Sequence, residues 1–98
     1  MKSMTTTDLF NKLQAGEVVN LIDVRNTDEV AAGKIAQAVN IPLHLLEAKM
    51  PDLNKQTPYA IICHAGGRSA QATQFLESYG FDVTNVTGGM LAWEGPTV

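Results

Sequence analysis

The feature that most constrains the fold of this chain is a short apolar run that ends in its only cysteine. The run covers residues 59–62, and Cys63 and a glycine-containing turn over residues 64–69 follow it directly. Residues 70–79 then have a helix-like pattern. A buried strand, a glycine turn and a helix in this order predict that Cys63 lies where the strand ends and the helix begins.

This position is expected to make the thiol of Cys63 reactive. Backbone N–H groups at a helix start lack intrahelical partners, and the helix dipole favours negative charge there. A cysteine facing these groups should have a lowered pKa and a larger fraction of the nucleophilic thiolate at neutral pH. Arg68 adds a permanent positive charge that can bind an oxyanion or form a structural ion pair.

Strand-like and helix-like segments alternate along the rest of the chain. Strands are predicted at residues 18–24, 38–41, 59–62 and 82–86, and helices at residues 5–16, 27–33, 43–50, 70–79 and 90–94. This alternation indicates an α/β fold with an open, mainly parallel sheet and helices on both faces. We expect one domain over residues 1–98, with ligands bound outside the carboxyl ends of the strands.

Composition and charge exclude several classes of function. The net charge is −3 and no basic cluster is present, which argues against a nucleic acid or an anionic membrane as partner. No apolar run is long enough to span a membrane, and the polar N-terminus lacks a signal-peptide core, so we expect a cytoplasmic location. One cysteine cannot form an internal disulfide, and together with His44 and His64 it cannot form a four-ligand metal site. No metal or other cofactor is predicted.

Four separated motifs resemble those of the rhodanese-like domains. They are residues 21–25 (LIDVR) with Glu29, residues 33–35 (GKI) with residues 38–42 (AVNIP), residues 63–69 (CHAGGRS), and Gly88-Gly89 with Trp93. The motifs occur in the family's order and span about residues 18–94. Lys34 stands where many members have histidine, and Val30 where an aromatic residue is common. These departures concern local packing or partner choice more than chemistry.

The resemblance implies a compact α/β fold with a central five-stranded parallel sheet, and sulfur transfer through a persulfide on Cys63. Thiosulfate is the usual test donor, and cyanide or a thiol is the usual acceptor. The partners are therefore expected to be a small-molecule sulfur donor and acceptor, or a protein thiol, and a monomer is favoured. Cys63 is the predicted catalytic residue. The loop residues whose N–H groups would cradle the sulfur are His64, Ala65, Gly66, Gly67, Arg68 and Ser69.

Residues in and around this loop also have structural interpretations. Asp23 and Arg25 are expected to form an ion pair at a strand end that braces the loop, rather than to act in catalysis. Ser69 suits a helix N-cap as well as a substrate ligand. His64 is predicted to line the loop and modulate substrate choice rather than to act as a general base. Structural, surface or packing roles are predicted for Glu29, His44, Leu91 and Trp93, the last two as closure of the core.

Two other functions fit the same residues. Cysteine phosphatases and arsenate reductases have a similar loop, but with one residue more between cysteine and arginine than the four found here. A shorter ring of N–H donors encloses less volume and suits a single sulfur atom better than a phosphoryl group. The other alternative is a non-catalytic carrier that presents the Cys63 persulfide to a larger partner. Turnover with thiosulfate distinguishes such a carrier from an enzyme.

Overall fold

Five short parallel strands form one sheet in the order β1-β5-β4-β2-β3. The computed structural model describes all 98 residues. The strands are β1 Lys2–Thr5, β2 Asn20–Asp23, β3 Ala38–Asn40, β4 Tyr59–Ile62 and β5 Val83–Thr87. The predicted α/β fold and parallel sheet are therefore confirmed. Every strand pair is parallel.

Five α-helices connect and cover these strands. They are α1 Thr6–Gln14, α2 Thr27–Ala31, α3 Leu46–Lys49, α4 Gly67–Ser78 and α5 Gly89–Ala92. Short 3₁₀ turns at Leu43–Leu45 and Met50–Asp52 flank α3. No helix combines the length and the apolar character that crossing a membrane requires.

The central strand β4 is buried on both faces. Ile61 belongs to a core cluster that includes Leu76 of α4, whereas Ile62 belongs to a second cluster that includes Leu9 of α1. Successive strand residues point to opposite faces, so one apolar run contributes to both clusters. Helices thus cover the two faces of the sheet, as predicted.

The edge strand β1 is absent from the sequence prediction. Its residues are mostly polar and exposed, and they form a strand because they pair with β5, for example Met4 with Val86. No local pattern marks such an edge strand, because its stability depends on a distant segment. The predicted strand at residues 18–24 is also too long at its start: Val18 is 89% exposed and β2 begins at Asn20.

Two helix predictions need correction. The segment 43–50 is a 3₁₀ turn followed by one α-helical turn, and Pro51 lies within a second 3₁₀ turn instead of ending the helix. The closing helix ends at Ala92, and its Leu91 is 71% exposed, so the prediction that Leu91 closes the core is wrong. Trp93 does pack against the core, with its ring centroid 5.8 Å from that of Phe10 in an edge-to-face arrangement.

Candidate active site

Cys63 directly follows β4, at the carboxyl end of the most buried strand. Helix α4 begins four residues later at Gly67, and Gly66 is its N-cap with a φ of 107°. Only glycine adopts this left-handed conformation at little energetic cost, and it turns the backbone back toward the cysteine. Cys63 is 1% exposed, so any reagent must approach its sulfur through a narrow opening.

Hydrogen-bond donors converge on the Cys63 sulfur. The backbone N–H of Gly66 donates to Sγ over 3.0 Å, and the Ser69 Oγ lies 3.2 Å from Sγ. The Ser69 hydroxyl also lies 3.1 Å from the carbonyl oxygen of Gly66. Ser69 has a single hydroxyl proton. It can donate to Gly66 while the thiol donates to Ser69, or it can donate to the sulfur once the thiol has lost its proton.

These contacts favour the thiolate of Cys63. Burial by itself raises the pKa of the thiol. Hydrogen bonds from the Ser69 hydroxyl and from the backbone N–H groups of Ser69, Gly66 and Arg68 outweigh burial, so the pKa of Cys63 lies below its ordinary value. The lowered pKa expected from the position at the helix start is therefore present.

Helix α5 fixes the backbone of the same loop from the other side. The N–H of Met90 donates to the carbonyl oxygen of Cys63, and the N–H of Leu91 donates to that of His64, both over 2.8 Å. Gly89 makes this approach possible, because a Cβ atom at its position would lie 2.5 Å from each of the two carbonyl oxygens. The carbonyl oxygens of Cys63 and His64 thus point toward α5 and not toward the sulfur, whereas N–H groups of the loop face the sulfur.

Arg68 does not point freely into solvent. Its Nη1 and Nη2 atoms donate to the two carboxylate oxygens of Glu29 over 2.5 and 2.8 Å. Glu29 also accepts the N–H of Asn26 and so caps α2. The hydrogen bond from Arg68 is the main reason that the pKa of Glu29 is lowered from 4.5 to about 2. The structural ion pair considered for Arg68 is therefore present.

The comparisons with known proteins agree with this geometry. Residues 5–96 match the family model of the rhodanese-like domain.

The chain belongs to the rhodanese-like family.

Named relatives of this rhodanese-like chain point to sulfur chemistry. The chain is 44% identical over 97 residues to the Bacillus subtilis protein YtwF, whose name gives sulfurtransferase as a provisional activity, and covers 94% of it. It is 37% identical over 86 residues to an Allochromatium vinosum protein named sulfurtransferase and covers 80% of that protein. The crystal structure of a rhodanese-like domain protein from Staphylococcus aureus superimposes with a TM-score of 0.91 at 43% identity, over 97% of this chain and 95% of the other.

The predicted Asp23–Arg25 ion pair of this rhodanese-like domain is present and buried. The Arg25 Nη2 donates to Asp23 over 2.8 Å, and the two side chains are 6% and 1% exposed. Arg25 also donates to the carbonyl oxygens of Gly33 and Glu29, at 2.8 and 3.4 Å. The pair therefore holds the segment that contains Glu29, which in turn binds Arg68. Support of the loop by this route is a prediction.

The structure separates the predicted loop residues into two groups. The backbone N–H groups of Gly66, Arg68 and Ser69 point toward the sulfur. The other three residues, His64, Ala65 and Gly67, are exposed. Ser69 is the third residue of α4 and fully buried, so its predicted N-cap role is wrong, and Gly66 takes that place. His44 is exposed on the surface.

Residue types alone did not indicate several contacts of the loop. The donors at Met90 and Leu91 are backbone N–H groups, and the side chains of these residues give no chemical signal. Only the neighbouring Gly88-Gly89 pair marks the segment. The residue type of Asn40 likewise does not indicate its contacts, in which Nδ2 donates to the carbonyl oxygens of Asp23 and Arg25 over 2.9 and 3.0 Å. No group of three or more His, Cys, Asp or Glu side chains is placed to hold a metal ion.

Replacing Ser69 with alanine is expected to raise the pKa of Cys63. The variant loses a hydrogen bond to the thiolate, and a hydrogen bond to a charged group contributes about 1.5–3 kcal/mol. Alkylation of Cys63 by iodoacetamide should therefore be slower by about tenfold or more at pH values below the pKa of the thiol. The pH dependence of the alkylation rate measures this change directly.

Ser78→Ala is a matched control for Ser69→Ala. Ser78 lies on the same helix and donates to the carbonyl oxygen of Phe75 over 2.6 Å, but it is exposed and far along α4 from the sulfur. The control should leave the alkylation profile unchanged. An unchanged profile in Ser69→Ala would mean that Ser69 does not stabilise the thiolate.

Proposed function

We propose that this rhodanese-like protein is a sulfurtransferase that carries sulfane sulfur as a persulfide on Cys63. The observation that supports it most directly is the set of N–H and O–H donors around one sulfur atom, with Gly66 N at 3.0 Å and Ser69 Oγ at 3.2 Å from Sγ. Such donors stabilise an anionic sulfur, here the thiolate of Cys63 that starts the reaction.

The first half-reaction loads the enzyme. The Cys63 thiolate attacks the outer sulfur of thiosulfate or a related donor, and a new S–S bond forms. The S–S bond of the donor breaks, and its electron pair leaves with sulfite. The protein then holds a Cys63 persulfide anion, and no external oxidant or reductant is needed. The N–H groups of the loop stabilise the negative charge throughout, in the manner of an oxyanion hole.

The second half-reaction returns the enzyme to its starting state. A thiolate or cyanide attacks the outer sulfur of the persulfide, the S–S bond at Cys63 breaks, and Cys63 leaves as the thiolate. Because the donor product departs before the acceptor reacts, ping-pong kinetics are expected. The acceptor can be a small molecule or a protein thiol. We place the reaction in a reducing compartment such as the cytoplasm, since it requires Cys63 as a free thiol.

The shape of the site supports sulfur transfer over phosphoryl transfer. The donors contact Sγ itself, and the chain leaves four residues between Cys63 and Arg68. Arg68 is already bound through both terminal nitrogens to Glu29. A phosphatase would need this guanidinium to hold phosphoryl oxygens.

Intact-protein mass spectrometry tests the proposal. The reduced protein is expected to gain the mass of one sulfur atom on incubation with thiosulfate, and to lose it again when cyanide is added. Cys63→Ala should show no gain. Loading without turnover on any small acceptor would favour the carrier alternative. Failure to load, together with hydrolysis of a phosphate ester, would favour the phosphatase alternative.

A further inference from the structure

Arg68 in the loop and Arg25 after β2 both have carboxylate partners. Arg25 is paired with Asp23 in the interior, and Arg68 is paired with Glu29 at the rim of the loop. The groups that donate hydrogen bonds to the Cys63 thiolate are backbone N–H groups and one hydroxyl. The site thus suits a single negative charge on sulfur. Neither arginine is free of a carboxylate partner, so neither offers a net positive charge to a second anionic group of the sulfur donor.

Glu29 is held firmly in this arrangement. Its Oε1 atom accepts the backbone N–H of Asn26 over 3.0 Å as well as the Nη1 of Arg68. The side chains of Arg68 and Glu29 are only 33% and 30% exposed. Because Glu29 also caps α2, its carboxylate is fixed in place, and releasing Arg68 would require breaking a bidentate ion pair. A donor therefore meets Arg68 as half of a neutral pair.

We propose that Glu29 determines the charge of the sulfur donors that the site accepts, by neutralising Arg68. This inference rests on the proposed sulfur transfer and specifies its substrate class. Monoanionic donors, such as an organic thiosulfonate or a persulfide on a thiol, suit the site better than the thiosulfate dianion. Glu29 acts through Arg68, so it is a positioning residue and takes no part in bond making.

The expected size of the effect follows from Coulomb's law. In water-like surroundings, one unit charge on the protein at about 6 Å changes the binding rate of a sulfur donor about threefold for each charge that the sulfur donor carries. Removing the charge of Glu29 should therefore raise kcat/KM about tenfold for thiosulfate and about threefold for a monoanionic thiosulfonate. The ratio of the two specificity constants is expected to rise about threefold.

The test compares thiosulfate with an aromatic thiosulfonate in Glu29→Gln. The glutamine oxygen can still accept from Asn26 and Arg68, so the variant removes charge while keeping the helix cap. The kcat/KM ratio of thiosulfate to thiosulfonate should rise about threefold at low salt, mostly through KM. Glu77→Gln is the matched control, because it makes the same charge change at an exposed position near the end of α4 and should leave the ratio unchanged.

A second pair of variants tests the route of the effect. Arg68→Gln alone should lower the ratio about threefold, because it leaves the charge of Glu29 without its counterion. Adding Glu29→Gln in that background should return the ratio to about the wild-type value, because the pair is then neutral again. A ratio that Arg68→Gln leaves unchanged would show that Arg68 and Glu29 do not offset each other's charge at the site. An unchanged ratio in Glu29→Gln, or an equal rise in Glu77→Gln, would overturn the inference.

The wild-type protein gives an independent measurement in case Glu29→Gln folds poorly. With Arg68 neutralised, kcat/KM for thiosulfate should fall less than about twofold between about 20 mM and about 0.5 M salt. A much steeper fall for thiosulfate than for the thiosulfonate would contradict the inference. Absence of persulfide from either donor would instead overturn the proposed function itself, so the two failures are distinguishable.

Discussion

Replacing Cys63 with serine is expected to abolish sulfur transfer, with a loss of at least about a thousandfold in turnover. An alcohol is a far weaker acid than a thiol, so the serine oxygen stays protonated at neutral pH and cannot form a persulfide. The surrounding donors cannot compensate, because the proposed reaction passes through a covalent intermediate on this atom. Thiosulfate:cyanide turnover and intact mass before and after loading measure the loss.

The fold must survive for this result to be meaningful. Cys63 is buried within a core cluster, so Cys63→Ser should lower the free energy of unfolding by about 1–2 kcal/mol. Cys63→Ala, which adds no polar atom to the core, is the companion variant. Denaturant unfolding of both variants separates loss of chemistry from loss of structure. Substantial turnover in either folded variant would refute the persulfide mechanism.

Gly89→Ala is expected to have the second largest effect. A Cβ atom there would lie 2.5 Å from the carbonyl oxygens of Cys63 and His64, and the φ of Gly89 is +57°. The added methyl group must push α5 away from the loop and break the hydrogen bonds from Met90 and Leu91. We expect a loss of about 2–4 kcal/mol in the free energy of unfolding. Loading of Cys63 by thiosulfate should slow about tenfold to a hundredfold, since small displacements of a reacting group are costly.

Gly80→Ala is a matched control for this prediction. Gly80 also has a left-handed backbone, with φ +87°, but no atom lies within 4 Å of a Cβ built at its position. Its substitution should therefore cost about 1 kcal/mol from backbone strain and leave the loading rate unchanged. The contrast isolates the contact with the loop carbonyls. Equal effects of the two substitutions on loading would show that Gly89 does not position the loop.

The order of the helices and of strands β2 to β5, and the place of Cys63 at a strand end, were predictable from the sequence because both depend on local patterns. The apolar run before Cys63 and the glycines after it specify a strand end and a helix start whatever surrounds them. The lowered pKa of Cys63 follows from that position. The edge strand β1 was not predictable in this way, because its polar residues pair with β5 near the other end of the chain.

The partners of the loop were harder to predict, because they come from distant segments. Arg68 suits oxyanion binding and ion pairing equally well by residue type, and only the fold brings Glu29 within 2.5 Å of it. The same is true of the N–H groups of Met90 and Leu91, which every residue but proline carries. Of the two roles considered for Ser69, the N-cap is wrong, because α4 begins at Gly67, before the predicted start at residue 70, with Gly66 as its N-cap.

The pairing of β1 with β5 also affects how fast the protein folds. Lys2 lies beside Thr84 in the sheet, so this contact closes a loop of most of the chain. Contacts between residues so far apart in sequence slow folding, and a rate in the millisecond-to-second range is expected. During synthesis the cysteine emerges before the residues of α5 that fix its carbonyl group. A nascent chain therefore exposes Cys63 without these contacts, and the loop reaches its final arrangement only after α5 has been made.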